Sequence, residues 1–414
     1  MRPVRTLAAA LDEGALVLDG GLSNQLTAQG CDLSGELWSA RLLADDPGQI
    51  LAAHTAYVRA GARVLITAGY QATFEGFARR GIGPRRAAEL LARSVELARA
   101  AAGTSPAEIW VAASVGPYGA MLADGSEYRG RYGLSTAELE RFHRPRIEAL
   151  AAAGPDVLAL ETVPDVDEAE ALLRAAEGCG VPVWLSYSVA GGRTRAGQPL
   201  TAAFELVAGH EQVIAVGVNC CTPEDAERAV GLAAAVAGKP VVVYPNSGER
   251  WDPAAGAWRG PAAFDPGRAE RWRRAGARLI GGCCRVGPGA IAELAASIGS
   301  QGARGEAYGG RSGEVHGGSS GEAYGGRSGE AYGGSPGEAY GGRSGEAYGG
   351  SSGQAHGGRS GEAYGGSPGE AYGGSPGEAY GGWSGEAYGG SSGQAHGGRS
   401  GEAYGGSPGE AYGG

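Results

Sequence analysis

Six cysteines carry most of the chemical potential of this 414-residue chain: Cys31, Cys179, Cys220, Cys221, Cys283 and Cys284. Four of them form two adjacent pairs. Cys220 closes one apolar run, and Cys283 and Cys284 close another. Three thiolates from two strand ends separated by only one neighbour make a soft, sulfur-rich ligand set that suits Zn²⁺. Three protein ligands leave a fourth tetrahedral position open, as catalytic zinc requires, whereas a structural site usually has four. The chain has no C-x2-C pair of the structural kind. Neighbouring residues in a regular strand point to opposite faces, so Cys283 and Cys284 can share a metal only if the strand has ended or bent. Gly281 and Gly282 make that bend cheap. The same cysteines also fit buried small hydrophobes, and spacing alone leaves both readings open. A redox-active Cys283–Cys284 disulfide is a third. Cys31 and Cys179 read as plain cysteines. Alternation turns Cys221 away from Cys220, outward against a helix.

These groups need a scaffold, and the first 300 residues supply one. Short apolar runs recur at Ala15–Gly21, Val64–Tyr70, Trp110–Gly116, Val157–Thr162, Pro182–Val189, Val213–Cys221, Pro240–Asn246 and Leu279–Cys284. Such runs, bounded by turn residues, are expected of strands buried on both faces. Helical patterns fall between them, over Pro47–Ala60, Arg85–Ala102, Ser135–Ala152, Asp165–Glu177, Pro223–Val236 and Arg268–Ala275. Eight alternating strand–helix units predict an α/β fold, a single (β/α)8 barrel over residues 1–300. An open doubly wound sheet is the competing fold, but Asp19-Gly20-Gly21-Leu22 is not the dinucleotide loop that often accompanies it. The unusual residues gather at the carboxyl ends of the runs: Asp19, Tyr70, Gly116-Pro117-Tyr118, Glu161, Ser186, Asn219-Cys220, Pro245-Asn246 and Cys283-Cys284. In a barrel those ends form one face, the catalytic one.

Residues 301–414 differ in kind. From Gly305 the chain repeats GEAYGGRS and close variants, with His316, His356 and His396 in place of tyrosine. Gly-rich polar sequence cannot bury enough apolar surface to offset the entropy of ordering, so a disordered tail is expected. The repeat holds 12 Glu and 5 Arg, a charge of −7; the whole chain is −10, which leaves −3 for the body. A mildly acidic body gives no footing for nucleic acid or an anionic membrane. No secretion signal or membrane-spanning run is seen, so a cytoplasmic protein with free thiols is expected. A competing function is an interaction or assembly module, in which tyrosines at every eighth residue make weak multivalent contacts with partners the sequence does not name.

Read in order, the motifs resemble the homocysteine S-methyltransferase family. They are LDGGLSNQL, ELWSA (Glu36–Ala40), HTAYVRAGARVLITAGYQAT (His54–Thr73), SVGPYGAMLADGSEYRGRYG (Ser114–Gly133), LALETVPDVDEAEAL (Leu158–Leu172), VGVNC (Val216–Cys220), VYPNSGE (Val243–Glu249) and IGGCCR (Ile280–Arg285). The match runs from about Ala15 to Ile298. GVNC, GGCC and GPYGAMLADGSEY together resemble the S-methylmethionine-dependent branch. The resemblance implies zinc on Cys220, Cys283 and Cys284, and transfer of a methyl group from S-methylmethionine or S-adenosylmethionine to homocysteine, giving methionine. Selenocysteine or selenohomocysteine stays open as the acceptor. The doubled Cys220-Cys221 and the repeat both depart from the family pattern.

That chemistry assigns further roles. A sulfonium has no hydrogen-bond donors and is held best by aromatic faces, for which Trp38 and Tyr70 are candidates. Its sulfur leaves as a neutral thioether, so no general acid is needed. Glu161 is placed to pair with the homocysteine ammonium, with Asp19 as second candidate. The amides of Gly20 and Gly21 are candidates for its carboxylate. Asn219 can orient a ligand from behind. His54, Tyr57 and His143 read as structural.

Overall fold

The computed structural model describes residues 2–33, 37–252 and 257–302, together with pieces of two or three residues within the octapeptide region. Eight strands, all parallel, form the core of the first unit. They are β1 (Leu16–Val17), β2 (Val64–Ile66), β3 (Trp110–Val115), β4 (Val157–Val163), β5 (Val183–Tyr187), β6 (Val213–Asn219), β7 (Val241–Tyr244) and β8 (Ala277–Ile280). Their order is β1-β8-β7-β6-β5-β4-β3-β2. A parallel bridge between Leu18 and Val64 joins the two ends, and the amide of Asp19 donates to the Val64 carbonyl at 3.0 Å. The sheet therefore closes into the expected barrel, and each of the eight apolar runs holds one strand.

Alternation along each strand builds two cores. Val111, Ala113, Leu158, Leu160, Val216, Val218, Val241 and Val243 point outward into the layer beneath the helices. Trp110, Ala112, Val157, Ala159, Trp184, Ala215, Val242 and Leu279 fill the interior. Leu7, Ala10 and Leu11 of the first helix, Leu7–Glu13, pack with that interior set. The helix Thr136–Ala152 starts with a complete capping box between Ser135 and Glu138, as the STAELE pattern implied. Among the described residues, seven α-helices lie outside the sequence expectations: Leu7–Glu13, Leu22–Ala28, Leu42–Asp45, Phe74–Arg79, Tyr118–Leu122, Leu200–Glu205 and Pro288–Gly302. The first six span only two turns or less, too few for apolar periodicity to show. No helix among the described residues is long and apolar enough to cross a membrane.

The octapeptide region forms a separate unit. Its described pieces are short strands. Each strand pairs in parallel with the one 16 residues further on, as in Ala339↔Ala355 and Ala379↔Ala395, giving two seven-stranded sheets. Ala355, Ala363, Ala371, Ala379, Ala387 and Ala395 form a buried row. Overall polarity does not register this arrangement. Strict repetition places every alanine in register, so coils sharing one small interior can stack, as in other repeat proteins.

Candidate metal centre

Three sulfurs converge at the carboxyl end of the barrel. Those of Cys220, Cys283 and Cys284 all lie within 4.8 Å of one another, and Cys220 and Cys284 are 3.8 Å apart. Thiolates bound tetrahedrally to one zinc at about 2.3 Å sit about 3.8 Å from each other, so this donor set fits the ion. Cys220 follows β6 in the left-handed conformation, at φ 51°. Its amide donates to the Tyr244 carbonyl at 3.2 Å. The last strand stops at Ile280, before the two cysteines. Gly281 and Gly282 have no room for side chains: a Cβ on Gly281 would stand 2.5 Å from that of Leu18, and one on Gly282 would collide with Val286. The amide of Cys283 then donates to the Pro245 carbonyl at 2.7 Å, and that of Cys284 to Asn246 Oδ1 at 3.0 Å. This is the bend that adjacent ligands require. Without metal the three thiols share charge unevenly. Hydrogen bonds with Cys283 and Cys284 pull Cys220 well below the thiol range, while their contact with Cys220 pushes both partners up.

Cys221 is buried in the outer core, and burial raises its thiol far above the usual range. Cys31 and Cys179 pack against the same outer core, away from the cluster.

The cluster opens into a cavity of about 130 Å³, whose lining includes Gly20, Gly21, Tyr70, Glu127, Glu161 and Thr162 as well as the three cysteines. Glu161 is only 6% exposed. A register shift in β4 between Leu160 and Val163, with Thr162 at φ 58°, turns both Glu161 and Thr162 inward. Ser114 Oγ donates to Glu161 Oε1, and the Tyr244 hydroxyl donates to Oε2 at 3.0 Å. Trp184 Nε1 in turn donates to the Tyr244 oxygen at 3.3 Å. Burial lifts the Glu161 carboxyl to about 7, against the pull of the Ser114 and Tyr244 hydrogen bonds. Asp19 is raised by burial too. Its Oδ2 accepts from the Ile66 amide at 2.9 Å, while Oδ1 has no partner among the described residues.

Tyr70 lies in the cavity wall, its ring packed where a Cβ on Gly116 would stand 2.7 Å away. Gly20 and Gly21 are both at the cavity, but the Gly21 amide already donates to the Val286 carbonyl at 2.9 Å. Of the two amides considered for a carboxylate, that leaves the one of Gly20. Asn219 faces Thr162 rather than the cluster. Trp38 opens a short 3-10 helix, Trp38–Arg41, and its side chain lies outside the described residues. Tyr57 is structural as expected; its hydroxyl donates to the carbonyls of Gly21 and Val286 at 3.0 and 3.2 Å. His54 is fully buried, which pushes it down to about 4 and keeps it neutral. His143 is buried too, with Nε2 3.0 Å from Glu168 Oε1 and Nδ1 2.6 Å from Arg146.

Sequence reasoning missed Ser114, Glu127, Tyr128, Thr162 and Tyr244. Tyr128 is the least obvious: its hydroxyl lies 3.1 Å from Cys220 Sγ, and the Arg195 guanidinium sits 5.4 Å over its ring. Glu127 and Tyr128 belong to ADGSEY, a motif with no strand or helix periodicity to point its side chains anywhere.

Residues 16–298 match a family model described as Homocysteine S-methyltransferase. A homocysteine S-methyltransferase from Escherichia coli is 44% identical over 302 residues, covering 70% of this chain and 97% of the relative. Homocysteine S-methyltransferase YbgG from Bacillus subtilis is 43% identical over 298 residues, covering 68% and 93%. The crystal structure of the E. coli homocysteine methyltransferase MmuM in its metallated form superposes with a TM-score of 0.63 at 43% identity, covering 70% of this chain and 98% of that one.

Proposed function

The chain belongs to the homocysteine S-methyltransferase family, and we propose that it transfers a methyl group from a sulfonium donor to the sulfur of homocysteine, giving methionine, with zinc as cofactor. The observation that carries this reading is the convergence of Cys220, Cys283 and Cys284 at the mouth of a cavity walled by buried carboxylates. The three cysteines would hold the ion. Bound there, zinc supplies the positive charge that keeps an acceptor thiol in its thiolate form near neutral pH.

The chain's own groups do the rest. Glu161 receives the homocysteine ammonium, held in place by Ser114 and Tyr244, and Asp19, electrostatically coupled to Glu161, is the second candidate for that charge. Gly20 offers its amide to the carboxylate. Tyr70 presents an aromatic edge or face to the donor, and Trp38 is proposed to join it. The acceptor sulfur forms the new S–CH3 bond. The donor's C–S bond breaks with its electron pair going to the leaving sulfur, which departs as a neutral thioether. The acceptor's proton is lost to solvent before transfer, so no acid is needed at the leaving group. S-methylmethionine and S-adenosylmethionine both satisfy this scheme.

Residues 1–300 are proposed as the catalytic barrel, acting in the cytoplasm where thiols stay reduced. The repeat of 301–414 is proposed as a second body that contributes no group to the site; the described residues of the cavity wall all lie between Gly20 and Cys284. The test is a panel of donors given to the purified protein with homocysteine, following methionine by mass, alongside metal analysis. About one zinc per chain and methionine from a sulfonium donor are expected. A protein that binds no zinc, or forms no methionine from any sulfonium, would refute the assignment.

A further inference from the structure

The cavity wall carries more negative charge than the acceptor needs. Glu127 and Glu161 both line it with the three cysteines, and among the described residues the wall contains no Lys, Arg or His. Glu161 has a hydrogen bond at each oxygen and a proposed partner in the homocysteine ammonium. Glu127 has no ligand group assigned to it. It is 4% exposed, and its Oε2 has no hydrogen-bond partner among the described residues. Burying a carboxylate oxygen without a partner is costly, and a cationic ligand in the cavity offsets that cost.

Glu127 is fixed rather than loose. It lies in the 3-10 turn Ser126–Tyr128, entered through Gly125 at φ 78°. The Ser126 amide is held by Asp124 Oδ1 at 2.9 Å. Gly119 abuts the Glu127 backbone so closely that a Cβ there would strike its Cα at 2.8 Å. The next residue, Tyr128, reaches Cys220 Sγ. Burial raises the Glu127 carboxyl, and negative charge on Cys220 raises it further. Burial, Cys220 and then Glu127 raise the Tyr70 hydroxyl in turn. Arg195 already occupies one face of the Tyr128 ring, which leaves less aromatic surface for a cation than the tyrosine count implies.

We propose that Glu127 is the anionic wall of the methyl-donor subsite and stands against the sulfonium charge, with Tyr70 and Tyr128 beside it. This rests on the sulfonium-dependent function proposed above. The positive charge of the donor disappears as its methyl group leaves. A carboxylate beside it therefore stabilises the bound donor more than the transition state. Its loss weakens donor binding and leaves the chemical step alone or slightly faster.

The experiment compares full-length wild type, Glu127→Gln and Glu127→Asp, each with zinc content measured. Three quantities decide it: KM for S-methylmethionine, kcat, and the competitive inhibition constant of methionine against S-methylmethionine at saturating homocysteine. Methionine keeps the ammonium and carboxylate and lacks the transferable methyl group and, with it, the sulfonium charge. In Glu127→Gln, KM is expected to rise about tenfold or more with kcat within about twofold, the loss of one charge contact in a buried site. The inhibition constant of methionine and the zinc content should not move, and Glu127→Asp should recover part of the donor affinity. Equal weakening of methionine and S-methylmethionine would overturn the assignment and place Glu127 against the ammonium. So would an unchanged KM, or zinc loss in both variants. A wild-type enzyme that takes no sulfonium donor would instead remove the functional reading itself.

Discussion

Asn219 grips Thr162 at two points: its Oδ1 accepts from the Thr162 amide at 2.8 Å, and its Nδ2 donates to Thr162 Oγ1 at 2.7 Å. The residue after Asn219 is Cys220, proposed to hold zinc, and the residue before Thr162 is Glu161. One buried side-chain amide thus ties the cysteine-bearing end of β6 to the carboxylate-bearing end of β4. It also holds Thr162 in the left-handed conformation that turns Glu161 inward. Asn219→Ala is expected to cost about 1–3 kcal/mol of stability through the unsatisfied Thr162 groups. It should also raise KM for homocysteine while changing donor KM little. A chemical denaturation curve and two-substrate kinetics check both halves.

The ligand set makes a sharper prediction. Cys283→Ala and Cys284→Ala should each lose most bound zinc and most activity, because two thiolates do not complete the site. Cys31→Ala and Cys179→Ala, away from the cluster, should retain both. Cys221→Ala tests the doubled cysteine: its thiol is buried in the outer core, so stability should fall while zinc content holds. Metal analysis on the purified variants decides each case.

Removing residues 305–414 is expected to leave zinc content, KM and kcat of the barrel unchanged. The cavity wall ends at Cys284, and the repeat has its own buried alanine row. Kinetics of the shortened chain against the full one provide the check, and a several-fold change in either constant would show that the repeat takes part in catalysis.

The barrel was legible because its strands are buried on both faces, and such strands announce themselves as unbroken apolar runs. The convergence of Cys220, Cys283 and Cys284 was legible because Gly281 and Gly282 marked the bend that brings two adjacent cysteines to one side. Three features were not. Thr162 enters the cavity only through a register shift, which alternation in LALETVP hides. Tyr244 looks like the last apolar residue of a strand, and its hydrogen bond to Glu161 crosses 83 residues. The Gly21 amide was free on paper, but its partner Val286 lies beyond the last strand. Each miss is a long-range contact that no local pattern encodes.

The state of Glu161 should set how homocysteine recognition depends on pH. Burial raises this carboxyl from 4.5 to about 7, outweighing the hydrogen bonds from Ser114 and Tyr244 that favour its charged form. Below about pH 7 the group takes a proton and no longer offers a charge to the ammonium, so kcat/KM for homocysteine should fall toward tenfold per pH unit. Glu161→Gln keeps the shape without the charge. Losing one partner of a buried charge pair typically costs about 2–5 kcal/mol, so kcat/KM at pH 8 should drop about 30-fold or more, with zinc content intact. The variant should also lose this part of the pH dependence. The stability effect has the opposite sense. A folded-state pKa above the unfolded value contributes stability that is full below about 4.5 and lost as pH rises through about 7. The melting temperature of Glu161→Gln relative to wild type should therefore be higher at pH 8 than at pH 5. A simple thiol acceptor without an amino group should lose little further in the variant. If Glu161→Gln harmed that acceptor as much as homocysteine, the carboxylate would be serving the transfer or the fold, and its role as the ammonium partner would have to be abandoned.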